Sequence, residues 1–81
     1  MAQRHDETRA TNVFQVDGEP VSGWYWEQGR WISFTIGADG EFLDPINCGA
    51  DEDCARAYAK MAAKMRAGRN GRITLNGEED E

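Results

Sequence analysis

Histidine occurs once in the 81 residues, as His5, and cysteine twice, as Cys48 and Cys54. A Ser-His or Cys-His nucleophile would need the start of the chain to fold back over the domain. A structural zinc site takes four ligands, and the two cysteines with His5 fall short. No Gly-rich phosphate loop joins a strand to a helix, since Gly37 and Gly40 fit a hairpin turn. The acids Asp39, Glu41, Asp44, Asp51 and Asp53 lack the alternating spacing of a calcium loop. The expectation is a non-enzymatic protein without metal or cofactor.

Long apolar runs are also missing; none approaches the ~20 residues of a bilayer span. Met1 to Glu7 is polar and leads into no apolar segment, so no secretory signal is expected. The expected location is the cytoplasm, of the organism itself or of a host it infects. There Cys48 and Cys54 are expected as reduced thiols, the alternative being a disulfide from the loop to the helix start.

Basic residues are scarce through half the chain. Residues 13–54 hold nine acidic side chains against one cation, Arg30, within a net charge of −6. The balance then inverts: residues 55–77 hold six cations and no acid, and Glu78-Glu79-Asp80-Glu81 closes the chain. The chain reads as an acidic body with a basic segment.

What is present is enough for one domain. Eight aromatic residues supply a dense core, each removing roughly 150–250 Å² from water when buried. Residues 1–11 lack periodicity and read as a disordered arm, 12–76 as a single α+β domain, and 77–81 as an acidic tail. Asn12 to Val16, Val21 to Trp26, Arg30 to Ile36 and Glu41 to Asp44 read as strands, with a further edge strand over Arg72 to Leu75. The turns between them are marked by Asp17-Gly18-Glu19-Pro20 and Gly37-Ala38-Asp39-Gly40. Asp51 is an N-cap, with Glu52 and Asp53 where the helix dipole favours anions. Gly68 suits the C-terminal cap. Within that helix Cys54, Tyr58, Met61 and Met65 make the apolar stripe expected to pack. The architecture is an antiparallel sheet of four to five strands with one helix packed on one face.

The central hairpin decides what the aromatics do. A two-residue turn at Gln28-Gly29 needs positive φ at Gln28, which is unfavourable. The expected loop therefore has three residues, with Gly29 in a bulge. It puts Trp24, Trp26, Ile32, Phe34 and Ile36 in the core and pairs Tyr25 with Trp31 outside. The rival register gathers all three Trp on one face and buries Tyr25 with Ile32 and Phe34 on the other.

Two surfaces are candidates for binding. Tyr25 and Trp31, rimmed by Glu27, Asp39, Glu41 and Asp44, make an aromatic centre with an acidic edge, suited to a basic partner. The same aromatic pair also serves simply to stabilise the hairpin. Arg56, Lys60 and Lys64, at i, i+4 and i+8, form a basic row that either faces solvent or docks an acidic partner. Bulk acidity speaks against direct nucleic-acid binding.

A short α+β domain, an acidic stretch from Asp17 to Asp53, no catalytic apparatus and polar ends together resemble the small acidic inhibitors encoded by phages and mobile elements, anti-CRISPR proteins above all. The resemblance covers the build of the whole chain and no motif. It implies binding to the basic, nucleic-acid-handling surface of a CRISPR effector complex and blocking of DNA recognition, as a DNA mimic. The chain would be a monomer or small homo-oligomer. The basic helix departs from a pure mimic and implies a partner surface of mixed charge.

Overall fold

A computed structural model describes residues 11–79. The arm expected over residues 1–11 lies, apart from Thr11, outside the described residues, as do Asp80 and Glu81.

Six strands and one helix follow in the order β1 (Asn12–Val16), β2 (Glu19–Glu27), β3 (Arg30–Ile36), β4 (Phe42–Asn47), α1 (Glu52–Ala67), β5 (Ile73–Leu75) and β6 (Glu78–Glu79). They form one antiparallel sheet in the order β4-β3-β2-β1-β5-β6, with α1 on one face. The α+β expectation holds, with six strands instead of four to five. The sixth comes from the expected tail: Asn76 and Gly77 both have positive φ and turn the chain so that Glu78 and Glu79 pair with Leu75 and Thr74. No described helix is long and apolar enough to cross a membrane.

The central hairpin takes the rival register. Trp24 pairs with Ser33, Tyr25 with Ile32 and Trp26 with Trp31, across a two-residue turn in which Gln28 has φ 51° and Gly29 φ 84°. Left-handed φ costs a residue such as Gln something on the order of 1 kcal/mol. Two gains offset it. The two-residue turn matches the right-handed twist of the strands, and the register brings Trp26 and Trp31 edge to face at 5.2 Å. Side chains alternate along a strand, so the one-residue difference transfers every side chain of β3 to the opposite face relative to β2. Ile32, Phe34 and Ile36 leave the helix side, and Trp31 and Ser33 take their place beside Ser22 and Trp24. α1 covers this tryptophan face, and Trp26, expected in the core, is exposed at its hairpin end.

The helix is also turned from its expected setting. Ala55, Ala59 and Ala63, at i, i+4 and i+8, are the buried residues of α1. They pack on Phe14, Val16, Val21 and Trp24. Tyr58, Met61 and Met65, expected inside, are exposed. Bulky side chains already fill the sheet face, so the helix docks through its smallest ones. That close approach lets the buried Ser22 hydroxyl donate to the Ala59 carbonyl at 2.7 Å. At the helix start the Trp24 indole donates to Glu52 at 3.0 Å. Asp51 accepts from the Cys54 amide as the N-cap, and the Gly68 amide closes the other end on the Lys64 carbonyl.

Candidate functional site

The face of the sheet away from α1 carries an aromatic ridge. Phe34 stacks on Phe42 with centroids 3.9 Å apart and planes 8° from parallel. Tyr25 lies 5.5 Å from Phe34 and 6.2 Å from Phe42. The ridge crosses β2, β3 and β4, because Tyr25 pairs with Ile32 and Ile36 with Phe42 on the same side of the sheet. Phe34 is buried beneath its neighbours, whereas Phe42 is 53 % exposed. Gly23 makes room for the ridge. A Cβ there would lie 2.8 Å from the Phe34 ring and 2.2 Å from the Asn12 carbonyl oxygen.

Charge borders the ridge unevenly. The Tyr25 hydroxyl has the Glu27 carboxylate near it, two residues along on the same face, and Glu27 is opposite Arg30 across the hairpin. Burial, with the Glu27 carboxylate beside it, holds the Tyr25 hydroxyl above its ordinary pKa, and Arg30 opposes the rise. At the other end the chain leaves the ridge through acids only. Residues 31–55 contain Asp39, Glu41, Asp44, Asp51, Glu52 and Asp53 and no basic side chain. All six are exposed.

The expected site is thus partly assembled and partly split. Tyr25 and Glu27 lie together on the open face. Trp31 does not join them: it is on the helix side, packed against the core beside Trp26. Glu41 is on the helix side too, where its chain and that of Leu43 approach Gly37. Asp39 is in the β3–β4 turn, and Asp44 is in a bulge of β4 with φ 51°. Phe42, which sequence reasoning passed over, takes the place of Trp31. The signal for it was the rival register, which aligns Tyr25 and Phe34, together with a strand opening at Phe42 just past Gly40.

No protein-family model, curated protein or solved structure matches the chain.

The basic row runs along a flank of α1, each of its members following one of the buried alanines 55, 59 and 63, with Lys60 half-buried. Arg56, Lys60 and Lys64 share a shallow hollow with Asp53, Ala57 and Met61. Both thiols are free and neighbouring, Cys48 in the loop before α1 and Cys54 in the helix's first turn. Burial and the Cys54 thiol push Cys48 up to about 11. Among the described residues no three or more His, Cys, Asp or Glu side chains are grouped so as to hold a metal ion.

Proposed function

We propose that this protein is a non-enzymatic interaction protein that binds a basic, nucleic-acid-handling surface on another protein and competes there with phosphate. The observation that carries the reading is the Tyr25–Phe34–Phe42 ridge, open on its outer side, with Glu27 beside Tyr25 and the exposed Asp44 two residues beyond Phe42 on β4. Aromatic anchors supply desolvated contact area, and like-signed carboxylates steer the encounter and fix its register. The resemblance to anti-CRISPR inhibitors gives the partner a candidate class, the DNA-binding groove of a guide-loaded CRISPR effector complex. Six cations without an acid on residues 55–77 support a second reading, in which the helix row docks an acidic partner.

The test is competition. A guide-loaded effector is mixed with labelled target DNA and the protein, and the bound DNA fraction is read by mobility shift. Displacement that weakens in Glu27→Lys/Phe42→Ser and persists in Arg56→Glu/Lys60→Glu/Lys64→Glu supports the reading. Displacement lost only in the helix variant favours the second reading. An effector panel that binds DNA equally with and without the protein removes the effector as partner.

A further inference from the structure

The helix side of the sheet is incompletely covered. α1 packs chiefly on β2 and β3, then on β1, and marginally on β5. The inward-facing residues of β4, Leu43 and Ile46, remain exposed. Across from Leu43 stands Met65 of the helix, 78 % exposed, and Tyr58 and Met61 on the same helix are exposed as well. Leu43 and Met65 line one cleft of about 580 Å³, floored by Val21 and Thr35. Two apolar surfaces therefore meet along a groove that this copy of the chain does not fill.

The groove has the width of one helix. Strands lie about 4.8 Å apart, so β4, two strands from β2, is about 9.6 Å from the line under α1. Helices pack side by side at about 8–10 Å. A second helix in contact with α1 would therefore lie over β4.

We infer that this helix is α1 of a second copy, giving a two-fold dimer whose two helices share one layer between the two sheets. Each α1 then covers the partner's β4, and Tyr58, Met61 and Met65 meet Leu43 and Ile46 in both directions. Charge selects this occupant and this arrangement. The row Arg56, Lys60 and Lys64 is carried toward the other copy's Glu41 and Asp44, so opposite charges face each other twice. The simpler alternative, pairing two β4 edges into a continuous sheet, sets Glu41 and Asp44 against their own copies. It also meets Pro45, which gives an edge no amide donor. The dimer leaves the Tyr25–Phe34–Phe42 ridge open while engaging Glu41 and Asp44.

Sedimentation equilibrium of the full chain, from micromolar to about 0.5 mM, tests this. The expected result is a reversible dimer whose dissociation constant rises about tenfold or more in Met65→Glu and in Leu43→Ser. Both sites are exposed in the monomer, and circular dichroism checks that each variant folds. Lys60→Glu/Lys64→Glu and Glu41→Lys/Asp44→Lys each weaken the dimer, and combining all four substitutions restores it. A wild-type monomer at the highest concentration overturns the inference. So does a dimer indifferent to Met65 and Leu43, or one in which the combined charge variant is weaker than either parent. Loss of the dimer in Phe42→Ser alone would place the interface on the opposite face and equally overturn it.

Discussion

Trp24→Ala is expected to cost far more stability than Trp26→Ala, although the two residues share a strand and a face. Trp24 is 3 % exposed beneath the start of α1, and Trp26 is 37 % exposed at the hairpin end. Burying an aromatic side chain of roughly 150–250 Å² at about 25 cal/mol per Å² stabilises by about 4–6 kcal/mol. Part of that surface is already hidden in the unfolded chain, which leaves about 3–5 kcal/mol, the usual loss for Trp→Ala in a core. The lost bond to Glu52 adds little, because that carboxylate is exposed and regains water. At ~0.05–0.15 kcal/mol per residue the whole domain holds about 4–12 kcal/mol. Trp24→Ala is therefore expected to leave the chain partly or wholly unfolded at 25 °C. Trp26→Ala removes a ring resting mainly on Trp31 and is expected to cost about 1–2 kcal/mol. Urea denaturation followed by far-ultraviolet circular dichroism reads both without relying on tryptophan emission. A cost for Trp26→Ala equal to or above that of Trp24→Ala would refute the two-residue turn and the register built on it.

Other consequences of the packing are as direct. Ala59→Leu drives a larger side chain into the sheet and is expected to lower stability by about 1–3 kcal/mol, while Met61→Leu leaves it nearly unchanged; paired urea midpoints decide this. Gln28→Gly relieves the left-handed strain in the central turn and is expected to raise the midpoint; a lowered midpoint would show that Gln28 is not strained. The folded state raises the Cys48 pKa from 9.0 to about 11 and so favours its protonated thiol. That contribution is complete below pH 9 and is lost as pH rises through 11. Iodoacetamide near pH 8 should accordingly modify Cys48 slowly in the native protein and at the ordinary rate in urea, as peptide mass spectrometry of timed samples would show. Tyr25 behaves with the same sign: its raised pKa means stability present below pH 10 and lost above it, and an ultraviolet titration of Tyr25→Phe against wild type identifies the late-ionising phenol.

The elements were legible wherever one local rule acted alone. Asp51 with two acids behind it, and Gly68 after the last basic residues, delimit α1 with no tertiary help. What failed was rotation about an axis, not position along the chain. The stripe from Cys54 to Met65 is apolar, yet the alanines at 55, 59 and 63 present a flatter ridge, and the large rings on β1 and β2 select the flatter one. The hairpin misled for a related reason. The local penalty at Gln28 is visible in the sequence, while the contacts that outweigh it, Trp26 on Trp31 and Phe34 on Phe42, exist only once strands are paired. The sixth strand was within reach, since Asn76-Gly77 is the dipeptide that most favours such a turn. The candidate site followed the hairpin. Tyr25 and Glu27 survived the change of register because they are i and i+2 on one strand. Trp31 did not, because its place depended on the pairing.

The alanine ridge of α1 divides the helix into positions with different freedom to vary. At 55, 59 and 63 the sheet leaves room only for a methyl group, so these sites constrain the fold in any descendant of the chain. Tyr58, Met61 and Met65 bear no such constraint from their own domain. A saturation library screened first for soluble expression and then for association would separate the two sets. Residues 55, 59 and 63 would drop out at the first screen. Tyr58, Met61 and Met65 would pass it in almost any form and be filtered only by the second, so the variation allowed along one helix would map where the molecule meets others.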